Sequence, residues 1–112
     1  MEFTLKHGDT LPILEVVLKN PDGSVHDLTG STDWQLHIKL TNGVVVTRTM
    51  TKQGADAAGT LRYPWVAADW NPGGLYASPY AHRMEYEVLA GATGLTFPND
   101  GYDTLKIAPD LT

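Results

Sequence analysis

Trp34, Leu36, Ile38 and Leu40 alternate with Gln35, His37 and Lys39, the cleanest period-two run in the chain. Successive side chains of a strand point to opposite faces, so the run predicts a strand with one apolar and one polar side. Thr41-Asn42-Gly43 follows, and Asn-Gly is a strong hairpin signal because its two residues accept the positive φ of a tight turn. Val44 to Met50, rich in Val and Thr, reads as the returning partner strand. A sheet with one apolar face must bury it against a second layer, and this requirement limits the fold classes open to the chain.

The same signals recur on both sides. Leu14, Val16 and Leu18 alternate with Glu15 and Lys19, and Asn20-Pro21-Asp22-Gly23 closes that run with a turn. Ser24 to Asp27 is expected to form a short strand, and Gln53 to Gly59, small and polar, a mobile loop. Leu61, Tyr63 and Trp65 alternate with Arg62 and Pro64, where proline marks an edge or a strand end. Ala67-Ala68-Asp69 suits one helical turn, and Asn71-Pro72-Gly73-Gly74 breaks regular structure. His82, Met84, Tyr86 and Val88 form another inward row, with Arg83, Glu85 and Glu87 facing out. Leu95 to Phe97, a Pro-Asn-Asp-Gly turn, and a last strand through Leu105 and Ile107 complete the chain.

About seven to nine short strands with no long helical period predict an all-β fold, one antiparallel sandwich over residues 1–112. With no cysteine, an immunoglobulin-like sandwich without its disulfide fits. Trp34 is expected at its central core position, and Asp69, Gly74 and Tyr76 suggest a tyrosine corner.

The charge balance narrows the partners. Thirteen acidic and eight basic residues give a net charge of −5, and the basic residues are scattered. No stripe tracks a phosphate backbone, so neither nucleic acid nor an anionic membrane surface is an expected partner. No apolar run approaches the ~20 residues that span a bilayer, and the N-terminus lacks the layout of a signal peptide. A soluble protein made in the cytosol is the expectation.

Chemistry has few candidates. His7, His26, His37 and His82 lack ligand spacing and have no cysteine to join them, so no metal is expected. Glu85 and Glu87 share a strand face about 7 Å apart, near the spacing of glycosidase carboxylates, but on a face expected to be solvated. Asp22-Gly23 and Asp100-Gly101 are explained as turns rather than calcium ligands. Ser24, Ser31 and Ser78 lack the context of an activated nucleophile, and no phosphate-binding loop is present. Neither enzymatic activity nor a cofactor is expected. The aromatic residues Trp65, Trp70, Tyr76 and Tyr80 crowd a Pro- and Gly-rich stretch. They read either as interface anchors or as a cover over one end of the core, and a sugar-stacking platform is a third use. Phe3 and the arm to Leu11 are candidates for pairing with a neighbour by strand addition.

The opening Phe3 to Pro12 is similar to the start of the baseplate upper protein N-terminal domain family of tailed phages. The stretch Asp22 to Thr32, with its Asp27-Leu28-Thr29-Gly30 step, resembles the family's next signature. Gly59 to Trp65, Gly74-Leu75-Tyr76, the strand Glu85-Tyr86-Glu87-Val88 and the close at Phe97 to Tyr102 resemble the rest. The likeness covers nearly the whole chain, although Trp70 to Arg83 is longer than the family's entry into that strand. The resemblance implies an immunoglobulin-like sandwich with a non-catalytic, structural role in the virion. As a small accessory subunit it would dock in multiple, symmetry-related copies on a major capsid protein or on a tail or baseplate protein. A carbohydrate-binding adhesion module on the particle surface is the alternative, and a hydrolase using Glu85 and Glu87 the third.

Overall fold

The computed structural model describes residues 2–6, 10, 12–41, 43–70, 81–98 and 102–108. Nine strands lie there: β1 (Glu2–Lys6), β2 (Leu14–Val17), β3 (Asp33–Lys39), β4 (Val45–Thr49), β5 (Thr51–Lys52), β6 (Thr60–Tyr63), β7 (Ala81–Ala90), β8 (Thr93–Phe97) and β9 (Asp103–Ala108). Short 3-10 turns at Asp56–Ala58 and Ala67–Trp70 punctuate them.

The strands form the two sheets of an all-β sandwich. The larger runs β1-β9-β7-β3-β4, with β8 also on β7, and the smaller runs β2-β6-β5. This is the strand order of an immunoglobulin-like sandwich, with β2, β6 and β5 in one sheet and β3, β7 and β9 at the centre of the other. Strand β7 is ten residues long and organises the larger sheet. It pairs with β3 from Asp33↔Leu89 to Lys39↔Arg83. Its other side carries β8 (Tyr86↔Phe97) and then β9 (Met84↔Asp103). Strand β1 runs parallel to β9, with Phe3 opposite Leu105.

The core is one cluster fed by both sheets. Leu36 and Ile38 of β3, and Met84, Tyr86 and Val88 of β7, meet Leu14 and Val16 of β2 and Leu61 and Tyr63 of β6. Each fully buried side chain of this kind contributes up to about 1.5–3 kcal/mol by leaving water. Alternation therefore sorted β2, β3 and β7 correctly, His82 included, at 1 % exposed in the inward row.

Four details differ from the sequence reading. Trp34 is only partly buried, because it opens β3 at the rim of the core, where its indole Nε1 donates to Ser31 Oγ at 2.9 Å. Ser24 to Asp27 forms no strand; the Asn20–Gly23 turn leaves room for a single bridge, Lys19↔Val25. The run from Val44 is interrupted at Met50, which is buried and hands the chain from β4 in the larger sheet to β5 in the smaller. The Gln53–Gly59 loop is tied in place: Gln53 N–H donates to Thr60 C=O, and Asp56 C=O accepts from Leu28 N–H. Gly74 and Tyr76 of the suggested tyrosine corner lie outside the described residues.

Candidate functional site

The aromatic candidates fall into two groups. Trp65 is 3 % exposed and Trp70 9 %, so both are core residues of the monomer and present no broad ring face to a partner or a sugar. Pro64 follows the end of β6 at Tyr63, and Trp65 beyond it packs in the core cluster. Phe3 is partly buried and lies 6.1 Å from the Trp65 ring, which in turn meets Tyr63 edge-on at 5.1 Å. The structure thus brings Phe3 and Trp65 together as packing. The indole Nε1 of Trp65 finds no acceptor among the described residues. The arm proposed for strand addition is in use within the chain over Glu2–Lys6, since β1 pairs with β9. Leu11, Tyr76 and Tyr80 lie outside the described residues.

Beside this packing sits a polar cluster that alternation alone did not single out. Asp69 is 2 % exposed. Its carboxylate accepts from Arg48 Nε at 2.8 Å, from the Tyr63 hydroxyl at 2.9 and 3.0 Å, and from Val66 N–H at 2.9 Å. Burial, then the hydrogen bond to Asp69 and the Asp69 charge, push the Tyr63 phenol up to about 12. The bond to Asp69 holds the Arg48 proton more tightly still. The sequence did carry one signal: Arg48 shares the inward row of β4 with Val46, and a charge in an inward row needs a buried partner. The arrangement ties β4 and β6 to the Ala67–Trp70 turn.

The outer face of the larger sheet is polar. His37 Nε2 lies 3.1 Å from Glu87 Oε1, and Nδ1 lies 3.1 Å from Thr47 Oγ1. With Nε2–H donating to the carboxylate, Nδ1 accepts from the threonine hydroxyl. Glu85 is exposed opposite His37, and the Arg83 guanidinium lies 4.6 Å over the Tyr102 ring. Glu85 lines a depression of about 290 Å³ there with His37, Lys39, Val45, Arg83 and Tyr102, while Glu87 is engaged with His37. The other histidines are dispersed: His26 Nδ1 lies 2.9 Å from Asn20 Oδ1 beside the Phe97 ring, and His7 lies outside the described residues. Among the described residues no three metal-capable side chains come together. Asp22 spends its carboxylate on the Ser24 amide and hydroxyl, which lowers its pKa and completes the turn.

A further concave surface runs along β2. A groove of about 410 Å³ lies between Glu15–Asn20 and the place where β8 gives way to β9, lined there by Tyr86, Phe97, Pro98 and Asp103. Tyr86 is buried, its hydroxyl donates to Asp103 Oδ2 at 3.0 Å, and burial raises its pKa strongly. Among the described residues no strand pairs with β2 on the side away from β6. Leu18 N–H donates to Gly59 C=O at 2.8 Å, so the even-numbered residues of β2 turn their main-chain groups toward β6. Glu15 and Val17 then turn theirs toward the groove. Among the described residues the site is an open strand edge over an apolar floor, which suits capture of extended chain.

No helix among the described residues is long and apolar enough to cross a membrane. Compared with protein-family models and with curated proteins, the sequence matches none of them.

Proposed function

We propose that this chain is a non-catalytic structural subunit of a tailed-phage virion, docking in multiple copies on the capsid surface or on the tail or baseplate. The sandwich is the architecture that the resemblance to the baseplate upper protein N-terminal domain family implies. The observation that carries the reading is where exposed apolar side chains lie. Val17, Val44, Val45, Val66 and Leu95 are 47, 49, 56, 47 and 51 % exposed, on strand edges and in connections. These side chains are available to protein contact at the margins of a rigid block.

The test is the copy number of this protein per purified particle, by quantitative mass spectrometry against the major capsid and tail-tube proteins. A count scaling with capsid subunits makes it a decoration protein. A small multiple of the tail symmetry places it in the tail or baseplate. Absence from the particle overturns the proposal.

A further inference from the structure

The two long strands of the larger sheet set charge in a particular order on their outer face. Lys39 of β3 lies directly opposite Arg83 of β7, and His37 directly opposite Glu85. Lys39, Arg83 and Glu85 are exposed. Directly opposed side chains stand about 5 Å apart, and neighbours on one strand face about 7 Å. Two cations therefore flank each other at one end of a small square, and a carboxylate stands at the other end. Like charges directly across a strand pair destabilise a sheet. Elsewhere the chain answers cations with carboxylates, Arg48 with Asp69 and Lys52 with Asp56. On a chain of net charge −5, two cations set against each other mark a place where an anion from outside relieves the repulsion.

The surroundings give this pair a shape. Lys39, Arg83, His37 and Glu85 line the depression of about 290 Å³ on this face, together with Val45 and Tyr102. The Arg83 guanidinium lies 4.6 Å over the Tyr102 ring, and a guanidinium stacked in this way still presents its N–H edge to an acceptor. His37 is held from both ring nitrogens by Glu87 and Thr47, so that wall of the depression is fixed. Glu85 decides the class of ligand. It repels a bare phosphate or sulfate, but it accepts hydrogen bonds from sugar hydroxyls. A hexuronic acid carries its carboxylate on one side of the ring and vicinal hydroxyls on the other, which answers both ends of the square at once. We propose that this depression binds a hexuronic acid unit, with its carboxylate between Lys39 and Arg83 and its ring hydroxyls on Glu85. A cavity of this volume, at the lower limit of ligand pockets, suits a single sugar ring. Trp65 and Trp70, both buried, take no part.

Titration of the ¹⁵N-labelled chain with galacturonic acid, glucose and inorganic phosphate, at constant ionic strength and followed by NMR, reads the site. Galacturonic acid is expected to shift the amides of residues 37–39 and 83–85 saturably, and glucose and phosphate to leave them in place. Arg83→Gln and Lys39→Gln are each expected to weaken binding about tenfold or more, since each removes a charged hydrogen-bond donor. Circular dichroism melting separates this from a structural role. Lys39→Gln removes one of two opposed like charges, so it is expected to melt no lower than the wild type while losing the ligand. Trigalacturonic acid distinguishes the sources: tighter binding than the monomer assigns the site to a polymer, and equal binding to one unit. Shifts with phosphate as large as with galacturonic acid overturn the proposal, as does an absence of saturable shifts or a Lys39→Gln variant that binds like the wild type. The titration is independent of the particle count, so the virion reading and this site fail separately.

Discussion

A carboxylate with 2 % of its surface exposed needs its charge answered, and Asp69 is answered by Arg48, by the Tyr63 hydroxyl and by the Val66 amide. Tyr63 provides the readout. Its pKa is about 12 in the folded chain against an ordinary value near 10. Below pH 10 it is neutral in both states and the full stability is present. Between pH 10 and 12 the unfolded chain releases the proton while the folded chain keeps it, so stability falls as pH rises. Two units correspond to roughly 3 kcal/mol. Tyr86, also raised by burial, acts in the same sense from pH 10 upward and so shares this window. Tyr63→Phe is expected to make the decline shallower, leaving the part due to Tyr86, in urea denaturation series from pH 9 to 12. An unchanged slope would remove Tyr63 as its source. The sequence showed Tyr63 as an inward residue but not its partner. Asp69 lies beyond the strand end and past Pro64, where a period of two no longer says which way a side chain points. The same gap explains Trp65 and Trp70, whose identity suited a surface anchor equally well.

Strands long enough to alternate several times were legible; short ones were not. Strands β3 and β7 carry seven and ten residues and announce their faces. Strand β5 is two residues, too few for any pattern, and it is continuous in sequence with β4. Only the burial of Met50 and its amide bond to Trp34 C=O at 2.8 Å mark where the chain changes sheet. The open edge of β2 was likewise invisible, because a strand's sequence gives its faces and not its neighbours. The loop that follows β5 was read as mobile from its small polar residues, yet it ends at a crowded glycine. Gly59 has φ of 58°, and a methyl there would sit 2.5 Å from the His26 carbonyl oxygen and 2.6 Å from Val25 Cγ1. Gly54, five residues earlier, has φ of 79° but open space around it. Gly54→Ala is expected to cost about 1–2 kcal/mol, the price of left-handed backbone alone. Gly59→Ala adds a clash with main chain and is expected to cost measurably more, about 3 kcal/mol or above. Paired urea midpoints check this; equal costs would show that the loop yields and is not fixed against His26.

At the scale of the whole molecule, the two sheets share their buried side chains, so neither has a core of its own. Leu36 and Tyr86 from the larger sheet pack in one cluster with Leu14 and Leu61 from the smaller. The smaller sheet has three short strands, and a two- or three-stranded sheet without a packed face is marginal in water. Its stability must come from the cover that β3, β7 and β9 provide. The Asp69 cluster adds a second tie, because Arg48 belongs to the larger sheet and Tyr63 to the smaller. Cooperative unfolding follows. Far-UV circular dichroism, which reports both sheets, and tryptophan fluorescence, which reports the buried Trp65 and Trp70 and the partly buried Trp34, are expected to give the same urea midpoint. Leu36→Ala in the larger sheet and Leu61→Ala in the smaller are each expected to cost about 2–5 kcal/mol of stability and to lower that midpoint for both probes together. Two separated transitions, or a Leu61→Ala variant that shifts one probe alone, would mean that the smaller sheet opens on the larger one as a separate unit. The open β2 edge would then belong to a movable flap and not to a rigid docking block.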